Sequence, residues 1–227
     1  MIAVASGVAA AALSVTPVRL RLTGSAARTI AITNAGDSPA VVIARTAGLA
    51  LDGRGMPALA GRRQPAASWL HLRPSRIVVA PGARAVVTVS STAPPAASPG
   101  DHSALVLLTT QPRPGVGIAI RVRIGVVVFV RVPGTIVRRL VVTGLAARHG
   151  TLTVVLANRG NIVEHVGTRV ILRRAGRTLA RLGPIERTLL PHTRARLAFA
   201  YRRRLHGAVT AVVDVGRPSP PLALLLP

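Results

Sequence analysis

The stretch Arg76-Ile77-Val78-Val79-Ala80-Pro81-Gly82-Ala83-Arg84-Ala85-Val86-Val87-Thr88-Val89-Ser90 decides the fold class. Within it Val87 and Val89 alternate with Thr88 and Ser90, the period of two that turns one set of side chains to a buried face and the other to solvent. Pro81-Gly82 stops the pattern, because proline lacks an amide donor and glycine adopts turn conformations that other residues resist. Strand, turn, strand is the local reading.

Working outward, the same punctuation recurs at roughly 8–12-residue intervals, the pattern of an all-β sandwich, and helical periodicity is nowhere sustained. Residues 15–22 read as one strand with Val18, Leu20 and Leu22 inward and Arg19 and Arg21 on the opposite face. Residues 29–33 and 41–46 follow as strands, the first stopped by Asn34-Ala35-Gly36-Asp37, whereas 49–64 reads as a connection rich in Gly, Pro and Arg. Residues 69–72, 76–79 and 85–90 come next, and 103–110 with 117–130 form an expected hairpin over a turn at 112–115. Pro133-Gly134 is the expected domain boundary. Beyond it, strands are predicted over 136–143, 151–157, 168–173, 178–181, 194–201 and 208–215, with 218–227 as a last strand or a tail.

At 227 residues the chain exceeds one small sandwich of roughly 100 residues. The expectation is therefore two tandem immunoglobulin-like β-sandwiches, over 14–132 and 133–227. They follow a segment, 1–13, whose apolar run and Ala10-Ala11-Ala12 resemble a secretory signal peptide, so the chain is expected to be exported. No apolar run reaches the length of a membrane-spanning helix. Aromatic residues are only 2 % of the composition, so both cores must be built from Val, Leu, Ile and Ala.

All 30 basic residues are arginine, against 6 acids, for a formal net charge of +24. Such an excess favours anionic partners. The scarcity of aromatic platforms and the lack of any zinc-finger, helix-turn-helix or RNP-like pattern argue against nucleic acid. Cysteine is absent, which removes thiol chemistry. The acids are scattered: Asp37, Asp52 and Asp101 sit in turn-like sequences, and Glu164, Glu186 and Asp214 have no partner at a motif spacing. His71, His102, His149, His165, His192 and His206 show no metal-ligand spacing, so no metal, cofactor or enzymatic activity is expected. Trp69 reads as a core anchor.

Three stretches of the first half resemble the N-terminal domain of the PapD-type periplasmic chaperones. They are Pro17-Val18-Arg19-Leu20 with residues 29–36; the region 69–90 with its Pro74 to Gly82 spacing; and Ile118-Ala119-Ile120-Arg121-Val122-Arg123-Ile124. Residues 156–162, 167–170 and 189–194 of the second half are similar instead to C-terminal sandwiches of Gram-positive surface proteins that accompany WxL-domain proteins. The chaperone resemblance implies that a basic residue on the first strand and another on the last bind a client's C-terminal carboxylate, at Arg19 and Arg123. A guanidinium fork suits a carboxylate.

The reading taken from all this is a non-enzymatic envelope module, structural or adhesive, recognising an anionic wall polymer through its arginine surface or another surface or secreted protein through a strand edge. The alternative is a periplasmic-type assembly chaperone that binds client C-termini at Arg19 and Arg123.

Overall fold

The computed structural model describes residues 13–24, 26–52, 55–60, 65–112, 121–202, 205–216 and 219–226; the leader-like segment over 1–12 and the expected turn at 113–115 lie outside the described residues. The chain divides into two compact units, Met1–Ala50 with Ala58–Pro133, and Leu51–Pro57 with Gly134–Pro227.

The first unit is a sandwich of two sheets. One has the order β1-β3-β8-β6, from β1 (Leu13–Thr16), β3 (Arg28–Asn34), β8 (Arg84–Ser91) and β6 (Leu70–Arg73). The other has the order β2-β10-β9-β4-β5, from β2 (Arg19–Thr23), β10 (Arg123–Val132), β9 (Gly100–Gln111), β4 (Ala40–Leu51) and β5 (Pro57–Leu59), with β7 (Arg76–Val79) also paired to β4. Alternation builds the core as the sequence requires. Leu20 and Leu22, Ile30 and Ile32, Val87 and Val89, and Val126, Val128 and Val130 all turn inward, and Trp69 closes the cluster. Each such aliphatic side chain contributes about 1.5–3 kcal/mol on burial.

The second unit pairs a three-stranded sheet, β11-β12-β15, with a four-stranded one, β14-β13-β16-β17. These strands are β11 (Leu140–Arg148), β12 (Thr151–Asn158), β13 (Glu164–Arg174), β14 (Arg177–Leu189), β15 (Arg194–Ala200), β16 (Gly207–Asp214) and β17 (Leu222–Leu226). Its core holds Leu152, Leu156, Val170, Leu172, Leu197, Phe199 and Val213. The architecture throughout is all-β, two tandem immunoglobulin-like sandwiches.

Several strands differ from expectation for physical reasons. The predicted strand 15–22 is two strands in different sheets, divided at Pro17, which has no amide N–H to continue the ladder. Val18 falls at that switch and is 64 % exposed instead of inward. The expected connection over 49–64 is partly ladder, since β4 runs to Leu51 and β5 covers Pro57–Leu59. Ile136 and Val137 are exposed and precede β11, because Asn161 holds that segment: its amide donates to the Thr135 carbonyl and its oxygen accepts from the Val137 N–H, both at 2.8 Å.

One corner occurs in both units. Asn34, fully buried at the end of β3, donates from Nδ2 to the carbonyls of Ser38 (2.7 Å) and Val79 (3.0 Å) and accepts from the Gly36 N–H (3.0 Å). Asn158, at the end of β12, places Nδ2 2.7, 3.3 and 3.2 Å from the carbonyls of Ile162, Leu189 and Leu190, and accepts from the Gly160 N–H (2.9 Å). Each side chain thus ties an Asn-x-Gly turn to the turn that opens a later strand, Ala80-Pro81-Gly82-Ala83 before β8 and Leu190-Pro191-His192-Thr193 before β15. Buried polar groups must find such partners, since an unmade bond costs about 1–3 kcal/mol.

Candidate functional site

Among the described residues, the first unit offers a strand edge with no partner along part of its length. β10 runs antiparallel to β9 along its whole length, from Arg123↔Thr109 to Val132↔Gly100. On its other side it runs parallel to β2, but only from Val127↔Arg19 to Arg131↔Thr23. Among the described residues, Arg123, Ile124, Gly125 and Val126 have no strand on that second side. The start of this edge is pinned by Thr110, whose N–H donates to the Val122 carbonyl and whose Oγ1 accepts from the Val122 N–H, each at 2.9 Å. Val126 is fully buried and Ile124 half-buried on the core side, while Arg121, Arg123 and Gly125 are exposed. The edge therefore shows apolar side chains on one face and basic ones on the other.

Arg19 and Arg123 are both exposed and both project from the outer face of this sheet. The register separates them. Arg19 is aligned with Val127, four residues along β10 from Arg123, about 13 Å at 3.3 Å per residue. One carboxylate is reached by both only if the two side chains extend toward each other. Arg131, nearer the far end of β10, is already engaged. It binds the fully buried Asp101 carboxylate through Nε and, at 2.8 Å, through Nη2. The hydrogen bonds to Asp101 raise the Arg131 pKa against the opposing effect of burial, so this guanidinium stays charged and paired. Asp101 is thus a strand residue in a cross-strand ion pair rather than a turn aspartate, a role that only the β9–β10 register reveals.

The remaining titratable groups do local work. Asp37 accepts from the Ser38 hydroxyl, Asp52 from the Met56 N–H and Asp214 from the Gly216 N–H. Glu164 lies 3.8 Å from Arg138, and His165 Nδ1 is 2.8 Å from Thr188 Oγ1. His102 packs against Trp69 with ring centroids 4.7 Å apart and planes tilted by 55°, and Trp69 is a core residue at 8 % exposure. An open cleft of about 550 Å³ between β4 and β6 is lined by Arg45, His71 and Arg73 without a carboxylate. No three His, Asp or Glu side chains among the described residues cluster to hold a metal ion, and none of the described helices is long and apolar enough to cross a membrane.

No family model matches the sequence, and no curated protein is significantly similar to it. Solved structures are similar over nearly the whole chain. A chain of the chaperone–tip adhesin complex of CFA/I fimbriae matches with a TM-score of 0.59 at 10 % identity, covering 95 % of this chain and 99 % of that one. The fold is that of the fimbrial chaperones. The class 5 fimbrial chaperone CfaA matches with a TM-score of 0.58 at 9 % identity, again over 95 % and 99 % of the two chains. The Salmonella enterica complex of the SafA pilin with the SafB chaperone matches with a TM-score of 0.52 at 14 % identity, over 96 % and 97 %.

The chaperone fold extends through both units, which sets the PapD-type resemblance above the likeness of the second half to WxL-associated surface proteins. It also corrects the expectation of an adhesive or structural module for an anionic wall polymer, because the structures matched along the chain are chaperones of pilus assembly. The arginines give a physical reason. They lie on the outward positions of strands in different sheets, Arg19 and Arg21 on β2, Arg169 and Arg173 on β13, Arg194 and Arg196 on β15, as the pleat requires of any solvent-facing residue. Within the second unit, the described arginines of β13 and β15 belong to different sheets and so lie on opposite faces of that sandwich.

Proposed function

We propose that the chain is an exported, non-enzymatic assembly chaperone that holds a secreted pilin-like or surface subunit along the open edge of β10. The observation that carries this reading is the run Arg123–Val126, which is paired to β9 on one side, has no strand among the described residues on the other, and turns its apolar residues toward the core. An extended client segment laid there gains main-chain hydrogen bonds for affinity and alternate side-chain contacts for specificity. The fold shared with chaperones seen beside a pilin or a tip adhesin supports the same partner class.

In this reading Arg19 takes the client's terminal carboxylate at the point where β2 begins to cover β10. Arg123 flanks the open edge and steers acidic segments toward it. A charged hydrogen bond of this kind contributes about 1.5–3 kcal/mol. The test is recovery of the tagged chain from the extracytoplasmic fraction of its own cells. One secreted protein should accompany it in equal ratio; Arg19→Ala should lower that yield at least tenfold, and Arg123→Ala less. Recovery of the chain alone at every expression level, or an unchanged yield with Arg19→Ala, would overturn the respective part of the proposal.

A further inference from the structure

An antiparallel strand bonds to one neighbour through every second residue and turns the main-chain groups of the residues between to its other side. β6 lies at the end of its sheet, with β8 as its one neighbour, and the bond from the Thr92 N–H to the Trp69 carbonyl fixes which residues face that neighbour. His71 and Arg73 bond to β8, and Leu72 turns its N–H and C=O away from it. β4 is also covered only in part. On its side away from β9, the Ala44 N–H donates to the Ser75 carbonyl (2.8 Å) and the Gly48 carbonyl accepts from the Ala60 N–H (2.9 Å). Thr46, between them, turns its main chain the same way, and no described residue pairs with it there.

The cleft of about 550 Å³ lies between these two half-covered strands. Its floor includes Ala44, Thr46 and Leu72, which point inward on their strands. Its rims carry Arg45 on β4 and His71 and Arg73 on β6, all three exposed, and no acidic side chain lines it. A slot with open main-chain groups in its walls therefore has basic side chains on both lips.

We propose that this cleft is a second docking site, which takes an extended acidic segment of another protein as a strand added to β6. Pairing with Leu72 supplies main-chain hydrogen bonds, and the pleat then sets which side chains fit. Segment residues beside His71 and Arg73 point outward with them and suit aspartate or glutamate. Residues between these point to the floor, over Thr46 and Leu72, and suit threonine or valine. Arg45 on the facing lip attracts a further carboxylate. Charge selects the occupant: the lips repel a strand of this arginine-rich chain and draw an acidic one. The site is separate from the open edge of β10, because β9 lies between β10 and β4 and the cleft opens on the far side of β4. Occupancy of one does not require the other.

Fluorescence anisotropy of a labelled peptide of about eight residues, glutamate alternating with threonine, tests this on the full chain. The control peptide has the same residues with its glutamates in one block, so it offers a chain of net charge +24 the same charge without the alternation. The alternating peptide should bind about fivefold more tightly than the block peptide and should slow amide exchange at Leu72. Arg45→Gln combined with Arg73→Gln should weaken it about tenfold with an unchanged circular dichroism spectrum, since an exposed ion pair contributes about two- to fivefold. Arg169→Gln combined with Arg173→Gln on β13 removes the same charge and should change binding by less than about twofold. Equal affinity for the two peptides, a loss in the cleft variant no greater than in the β13 variant, or no binding of the alternating peptide up to about 1 mM would overturn the proposal.

Discussion

The Asn34 and Asn158 corners solve one problem with different residues. Each buried amide gathers carbonyls from two turns, so the Asn-x-Gly turn and the entry to a later strand move as one piece. They differ at the left-handed position of the second turn: Gly82 occupies it in the first unit with φ 68°, and His192 in the second with φ 58°. Left-handed backbone costs an L residue roughly 1–2 kcal/mol, and glycine escapes this cost. The amide peg is therefore common to both corners while the turn chemistry around it is free to vary, and the second unit tolerates strain that the first avoids.

The largest expected effect comes from removing the pegs. Asn158→Ala removes the donor to the carbonyls of Ile162 and Leu189 and the acceptor of the Gly160 N–H, while the Leu190 carbonyl keeps its bonds from Thr193, and should destabilise the second unit by about 3–5 kcal/mol. Asn34→Ala orphans two carbonyls and one N–H, and should cost the first unit about 2–4 kcal/mol. The chain has one Trp and one Tyr, and they lie in different cores, Trp69 in the first and Tyr201 in the second. Denaturant titration followed at the two fluorophores should show Asn34→Ala acting first on Trp69 and Asn158→Ala first on Tyr201. Equal loss at both probes for both variants would mean that the corners are not the separate pegs described.

A smaller effect is expected from Gly82→Ala. A Cβ there meets nothing within 4 Å, so its cost is the backbone conformation alone, about 1–2 kcal/mol by the shift in denaturation midpoint. The smallest belongs to His192→Gly. Relief of strain is partly offset by the greater freedom of glycine in the unfolded chain, which leaves a net gain of about 0.5 kcal/mol. Destabilisation by His192→Gly would show that the imidazole makes contacts worth more than the strain.

Strands with clean alternation and clear punctuation were legible in the sequence. β7 has its expected bounds, and β3, β8, β12 and β15 fall within a residue or two of theirs. What alternation cannot carry is the sheet to which a strand belongs, so Val18 was misplaced by the switch at Pro17. Both Asn-x-Gly corners were visible as chain-stopping sequences, but the buried role of the amides was not, because their acceptors lie as far as 45 residues away for Asn34 and 32 for Asn158. The candidate site was legible only through resemblance. Arg19 and Arg123 are both arginines on outward positions, and nothing local in the sequence states that β2 begins opposite Val127. The Asp101–Arg131 pair spans 30 residues and was hidden for the same reason: register is a tertiary property.

The double hydrogen bond between Thr110 and Val122 bears on how the β10 edge would receive a guest. Freezing one residue's backbone costs about 1–2 kcal/mol, and Thr110 brings Val122 into alignment during folding, ahead of any encounter. In the proposed chaperone reading, an incoming segment would meet a rail already straight at its first rung, and the entropy lost on docking would be chiefly the visitor's own.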